Sequence, residues 1–309
     1  MADKEKKYPL KLNENYYVVT ANDLIKGRQK MSLREAQLLF IAISQVVKED
    51  TDFKTYTTTV PELARFMGID ENSLYRDLEG ICTSLMQKVV KIQVGGENAR
   101  GRKKWEVFHW ISSAKYDNGT LTLRLSDDIK PYLLELDSYY SQTMLGTLMT
   151  FRSYYATRLY QYLIADTGAR WDTVEEWTFT CDELRELFQV KEKEYARNYD
   201  LIRKTIKPAL AELHQSDYAY IYDYAENRSH KRGRPLESVT FKAIFFDNGK
   251  NFTAKEKKEH FLKRTKEVMK KDFGKEFTDY EQLALIDGMP EPTDEPINKP
   301  TKKKKDVKK

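Results

Sequence analysis

The sequence predicts an α+β fold: two tandem winged-helix domains related by an internal repeat, then a C-terminal helical segment and a disordered Lys-rich tail. Three observations predict it. First, residues 60–69, VPELARFMGI, align with residues 181–190, CDELRELFQV, at an offset of 121, placing Glu62 on Glu183, Leu63 on Leu184 and Ile69 on Val190. Further on, Ile81 falls on Ile206 and Leu85 on Leu210 at an offset of 125, so the four-residue difference lies in the connection before the long helix. A period this long, present only twice, marks a duplicated domain and not a solenoid. Second, Tyr199, Ile202, Ile206, Leu210 and Leu213 recur at three- and four-residue steps, the spacing of one helix face. Third, two strand-like runs, 217–224 and 237–246, flank a polar loop, 226–235, rich in cations. A basic-faced helix followed by a basic-tipped hairpin is the plan of a winged helix, whose helix enters the roughly 12 Å major groove while the wing reaches phosphates beside it.

The elements follow in order. Residues 1–16 are polar, and a flexible N-terminus is expected there. A helix is predicted over 21–47 with its buried side on Leu24, Ile25, Met31, Leu33, Ala36, Leu39, Phe40, Ile43 and Val46. Gly27 breaks or bends it, and Ser32 followed by Glu35 has the form of a capping box that starts a new helix. Residues 56–60 form a short β-rich run, and Pro61 suits the first turn of the helix that follows. The next helix spans 70–87 with Leu74, Leu78, Ile81 and Leu85 as its apolar stripe. KVVKIQV is a strand, GGENARGRKK a basic loop, and WEVFHWISSAKY and TLTLRLS are further strands. Asp117-Asn118-Gly119 joins the last two as a tight turn, because Asn-Gly tolerates the positive φ angles a hairpin requires. Residues 127–148 are helical or irregular.

The plan then repeats: a helix over 151–165, the strand EEWTFTC, the short helix DELRELFQV, one long helix and the basic hairpin. The expected domains are 17–146 and 147–250, with a helical extension over 251–289 and a disordered basic tail over 290–309. Pro290, Pro292, Pro296 and Pro300 end regular structure before the solvated run TKKKKDVKK.

A chain of 309 residues with 33% charged residues and a net charge of only +5 does not by itself announce nucleic acid, so the distribution of charge decides. Arg197, Asn198, Arg203, Lys204 and Lys207 lie on the second long helix. Arg pairs with guanine O6 and N7, and Asn with adenine, through two hydrogen bonds each. The wing segment RSHKRGRP holds four cations, Arg228, Lys231, Arg232 and Arg234, with His230 and no acid, in eight residues. The first domain offers Asn72, Ser73, Tyr75 and Arg76 at its helix and Arg100, Arg102, Lys103 and Lys104 in its loop. That helix also carries Asp70, Glu71, Asp77 and Glu79, so weaker, backbone-directed contact is expected there.

Several classes are disfavoured. Residues 96–103 are superficially like a phosphate loop, but they lack the Lys-Ser/Thr ending and a strand follows them. His109, His214, His230 and His260 are not paired at metal spacing, and no Cys pair accompanies them. The clustered His pair that a rolling-circle nickase would set beside a nucleophilic Tyr is not found. No cofactor, no metal and no enzymatic activity are expected. Cys82 and Cys181 are expected as small buried residues of a reducing compartment. No apolar run approaches the roughly 20 residues of a membrane span, and the first residues lack a signal peptide's apolar core. A cytoplasmic protein is expected.

Three stretches carry a resemblance: ISSAKYDNGTLTLRLSDDIKPYLLEL, FRSYYATRLYQYLI and RKTIKPALAEL, in this order. Together they resemble the replication initiator family of iteron-bearing bacterial plasmids, over roughly residues 16–247. The resemblance implies two winged-helix domains, monomers bound to short direct repeats of double-stranded DNA at a plasmid origin, opening of an AT-rich segment, and recruitment of the host initiator and helicase. It implies dimers that repress their own gene, with the dimer interface and accessory DNA contact in the first domain. It implies base reading by the second domain's helix, at Arg203, Lys204 and Lys207. The tip Ala196-Arg197-Asn198 matches no family pattern. A winged-helix transcriptional regulator and a DNA-nicking replication enzyme remain the alternatives.

Overall fold

In the computed structural model of the chain, the residues described are 6–97, 103–134, 136–168, 170, 171, 173–191, 193–230 and 233–246, with Lys263, Glu267 and Lys270 beyond them. The predicted C-terminal extension and basic tail otherwise lie outside the described residues.

The first half opens with β1 (Lys7–Pro9), β2 (Tyr17–Ala21), α1 (Asn22–Lys26) and α2 (Leu33–Ile43). The strand β1 falls inside the segment expected to be loose; it pairs in parallel with β3 (Thr55–Thr59), Tyr8 against Tyr56. The predicted break at Gly27 and restart at Ser32 are both present. The Ser32 hydroxyl accepts from the Glu35 N–H, and Glu35 accepts from the Ser32 N–H, the reciprocal pair that satisfies two orphan donors of a helix start.

Next come α3 (Val60–Met67) and α4 (Glu71–Gln87), the ribbon β4 (Val89–Glu97) with β5 (Lys103–His109), and the hairpin β6 (Ile111–Asp117) with β7 (Thr120–Leu125). WEVFHWISSAKY is therefore two strands, not one. Trp110, 3% exposed, turns inward between them, and its carbonyl accepts from the Ser126 N–H. Burying that indole redirects the chain from the ribbon into the four-stranded sheet β1-β3-β7-β6. The hairpin turn has Asn118 at φ 46° and Gly119 at φ 79°, the geometry that Asn-Gly supplies at low steric cost. Residues 127–148 contain a strand that the sequence did not predict. After a 3-10 turn at Asp127–Tyr132, β8 (Tyr140–Met144) pairs antiparallel with β2 and closes the first half on its own beginning.

The second half follows α5 (Leu145–Thr150) with α6 (Tyr154–Thr167), β9 (Val174–Thr180), α7 (Cys181–Phe188), α8 (Asn198–Lys204), α9 (Ile206–Gln215), β10 (Ala219–Arg228) and β11 (Leu236–Phe245). Its sheet runs β10-β11-β9, all antiparallel. Edge contacts tie α6 to it, Tyr160 to Phe245 and Tyr162 to Phe179, while Tyr155 of α6 meets Phe188 of α7 and Trp177 stacks on Phe241 within the sheet. Aromatic pairs of this kind add about 0.5–1.5 kcal/mol each beyond burial.

The single helix predicted to carry Tyr199, Ile202, Ile206, Leu210 and Leu213 is two helices. Thr205 leaves helical geometry at φ −120°, ψ −76°. Pro208 supplies the cause: it lacks an N–H, and its ring crowds the carbonyl four residues back, that of Lys204. The Thr205 hydroxyl donates to the Leu201 carbonyl at 2.7 Å inside the core. The break also rotates Tyr199 off the apolar face; it is 52% exposed, while Leu201 and Ile202 are buried.

The architecture agrees with the repeat. Both α3 and α7 start at a Thr with a full capping box, Thr59/Glu62 and Thr180/Glu183, and both end in a left-handed residue, Gly68 and Gln189. The strand order β6-β7-β3 corresponds to β10-β11-β9. The ribbon β4–β5 is then an insertion between the long helix and the wing hairpin of the first domain. Cys82 and Cys181 are free and buried, and burial pushes both thiols up to about 11. Among the described residues no helix is long and apolar enough to cross a membrane, and no group of side chains is placed to hold a metal ion.

Candidate nucleic-acid interface

In the second domain, the connection into α8 is held from below. The Arg185 guanidinium, on α7, donates to the carbonyls of Glu194 at 3.2 Å and Tyr195 at 2.7 Å. Asn198 then donates through Nδ2 to the Leu236 carbonyl at 2.8 Å, the first residue of β11. The start of the helix and the base of the wing are thus one unit. Arg185 carries no charge pattern of its own in the sequence and escaped notice there; its counterpart at an offset of 121 is Ala64.

On this unit Arg197 is exposed at the N-cap of α8, and Arg203 and Lys204 are exposed in its last turn. Arg203 lies 3.6 Å from Asp200 and over the Tyr199 ring, and Lys204 lies over the Tyr195 ring. Both cations remain presented to solvent on aromatic supports, and exposed ion pairs of this kind are weak. Lys207 is different. Its Nζ is 2.6 Å from Glu226 on β10, and both side chains are largely covered. Arg228 reaches the same carboxylate at 3.8 Å and donates to the Arg234 carbonyl. Burial, with Glu226 beside it, pushes the Tyr224 hydroxyl well above the usual phenol range. At the wing, Gly233 and Arg234 both have positive φ, and His230 and Arg234 are exposed. Lys231 and Arg232 lie outside the described residues.

Of the helix residues singled out by sequence, then, Arg197, Arg203 and Lys204 are open to solvent. Asn198 spends its amide donor on the wing, and Lys207 spends its charge on Glu226.

The first domain presents less. Ser73 is occupied with its helix start: its N–H and hydroxyl both reach Asp70 Oδ1, which holds that carboxyl below its usual range. Arg76 pairs through Nε and Nη2 with both oxygens of Asp77, at 2.8 and 3.1 Å. Asn72 and Tyr75 are exposed beside it. The basic loop is not the wing of this domain. The counterpart of β10–β11 is β6–β7, whose tip is Asn118-Gly119, and Lys103 and Lys104 sit on the inserted ribbon. Lys103 opens β5 in register with Glu97, and Lys104 is exposed; Arg100 and Arg102 lie outside the described residues. On the same ribbon Trp105 is 60% exposed with Lys91 Nζ 4.7 Å above its ring.

Two family profiles match the chain in succession. Residues 17–164 match "Initiator Replication protein, WH1", and residues 180–243 match "Initiator Rep protein, WH2". A replication initiation protein of Escherichia coli is 24% identical over 229 residues, covering 72% of this chain and 68% of that protein. A crystal structure of Pi initiator protein in complex with iteron DNA superposes with a TM-score of 0.57 at 18% identity, covering 76% of this chain and 99% of that one; the likeness is one of fold. Both halves match in this order on two winged-helix domains, and the chain belongs to the initiator replication protein family.

Proposed function

We propose that this initiator binds direct repeats of double-stranded DNA at a plasmid origin, strains an adjoining AT-rich segment, and brings the host initiator and helicase to it. Dimers formed through the first domain repress the protein's own gene. The proposal involves no bond-making chemistry: binding energy is spent on deforming DNA, through counterion release at phosphates and readout at base edges. The observation that carries it is the Asn198–Leu236 hydrogen bond, which makes the α8 start and the wing one rigid surface. A recognition helix works through residues near its N-terminus, while a wing grips backbone. Arg197 at the start of α8, and Arg203 and Lys204 immediately before the start of α9, read bases; Arg228, Lys231, Arg232 and Arg234 hold phosphates. Arg76, Lys103 and Lys104 of the ribbon, and the cations Arg100 and Arg102 add backbone contact, and Ser73 and Asn198 hold the helices that do so. Iteron DNA is what the solved Pi initiator binds, and it is the substrate class proposed here.

The test supplies the protein in trans to a plasmid carrying the origin but lacking this gene. Replication of that plasmid is expected. Site-specific repression without replication would sink the initiator proposal in favour of a transcriptional regulator. Relaxation of supercoiled origin DNA with Mg²⁺ would replace it with a nicking enzyme.

A further inference from the structure

Arg158, on α6, is 1% exposed and is among the largest fully buried side chains of the molecule. Among the described residues no carboxylate pairs with it. Its guanidinium donates instead to three backbone carbonyls: Ile25 through Nη1, Gly27 through Nη2 at 2.7 Å, and Leu187 through Nε at 3.4 Å. Ile25 and Gly27 end α1 in the first domain, and Leu187 lies in the last turn of α7 in the second. Carbonyls at a helix C-terminus lack intrahelical partners and carry the negative end of the helix dipole. One buried cation therefore caps two helices from two domains. The fork geometry of Arg suits this, whereas the single ammonium of Lys cannot reach three diverging oxygens.

The segment that Arg158 anchors, residues 26–30, is gripped on both sides. Towards the second domain, Lys26 pairs with Asp166 at 2.8 Å, Arg28 with Glu186 at 2.6 Å and Lys30 with Glu194 at 3.1 Å. Towards the first, Arg28 exchanges both backbone hydrogen bonds with Lys91 of β4, at 2.8 and 3.0 Å. A Cβ at Gly27 would stand 2.7 Å from Val90 Cγ2, so this close approach requires glycine. The three ion pairs are exposed and individually weak, so among the polar ties on this segment the guanidinium is the one shielded from solvent.

We propose that Arg158 is a positioning residue for DNA binding. It holds segment 26–30, and with it the ribbon and α4, at one angle to the second domain, so that both domains meet a single duplex in fixed register. This rests on the two-domain DNA contact proposed above. Tethering in one geometry makes the second contact intramolecular; a loosened joint lowers the effective concentration and with it the affinity.

The test uses the full chain and two duplexes. One carries the sequence that the wild-type protein selects from a randomised library. The other has about five base pairs, roughly half a helical turn, inserted between the two protected segments. Spin labels at Glu71→Cys and Glu237→Cys, both exposed and one per domain, report the interdomain distance, the native thiols being buried. Wild type should show one narrow distance distribution and a strong preference for the uninterrupted duplex. Arg158→Met and Arg158→Lys should broaden the distribution, weaken binding to the uninterrupted duplex at least tenfold, and bring the ratio between the duplexes towards one.

Because the buried variants risk misfolding, a surface variant that keeps Arg158 but removes the exposed pairs, Asp166→Asn with Glu186→Gln and Glu194→Gln, is measured beside them and should keep the narrow distribution and the wild-type preference between duplexes. A folded Arg158→Met protein with wild-type distances, or with wild-type preference between duplexes, overturns the proposal. So does a broadened distribution in the surface variant, because the ion pairs and not Arg158 would then hold the joint. A wild-type protein indifferent to the insertion overturns the two-domain DNA contact together with the register it requires, and the label distances then show separately whether Arg158 holds the joint.

Discussion

Lys207 Nζ lies 2.6 Å from Glu226 Oε1, so a cation on the helix α9 is neutralised by an acid on the wing strand β10. The same carboxylate stands 3.8 Å from Arg228 and accepts from the Tyr224 hydroxyl at 3.3 Å. Glu226 therefore restrains two of the cations that charge counting assigned to DNA. Lys207→Ala is expected to weaken DNA binding less than Arg203→Ala does. Glu226→Gln should release both cations to phosphate and steepen the salt dependence of log K by roughly 1–2, at about 0.9 per phosphate neutralised. A salt titration of duplex binding measures this; an unchanged slope means that Glu226 does not compete with DNA.

Arg203→Ala and Lys204→Ala should each cost about 1–3 kcal/mol on the specific site and little on random duplex, the cost of a lost bidentate base contact. Arg234→Ala, and Arg232→Ala beside it, should weaken all sequences alike and flatten the salt slope. Competition binding with specific and random duplexes separates the two outcomes. Equal losses on both DNAs for all four variants would place the reading surface elsewhere.

Thr59 and Thr180 are the N-caps of equivalent helices, each accepting from the backbone of the third helical residue. Thr→Ala at either position should destabilise its own domain by about 1 kcal/mol. The sites lie in different domains, so the double variant should show the sum in denaturant unfolding. A double loss far from that sum would reveal coupling between the domains.

Burial lowers the pKa of His214, whose Nδ1 accepts from the Ile221 N–H. In the unfolded chain this histidine takes a proton below about pH 6.5, while in the fold it resists doing so. Its stability contribution is therefore present above pH 6.5 and is lost as pH falls towards the depressed folded value. The slope is at most about 1.4 kcal/mol per pH unit. His214→Leu should flatten the stability profile between pH 7 and 5 relative to wild type; parallel profiles from chemical denaturation would refute it.

Most helices were legible because their signals are local. Ser32 with Glu35, Thr180 with Glu183, and the apolar steps of 74–85 act within one or two turns of chain. Asn118-Gly119 fixed its turn for the same reason. The repeated plan was legible too, and Leu63 on α3 and Leu184 on α7 are both fully buried, as it requires. What failed depended on distant partners. The strand β8 exists because β2 lies beside it, more than a hundred residues earlier in the chain. The bend at Trp110 exists because a core receives the indole.

Propensity, capping and charge are carried by neighbouring residues, so two winged helices, their order, and a cationic helix and wing in the second are written in the linear chain. Which of those charges face outward is settled by contacts across the fold. Asn198 against Leu236, Lys207 against Glu226 and Arg158 against Ile25, Gly27 and Leu187 are pairings across the fold. A polar group buried there must find its partner wherever the chain brings one, and linear order does not record that.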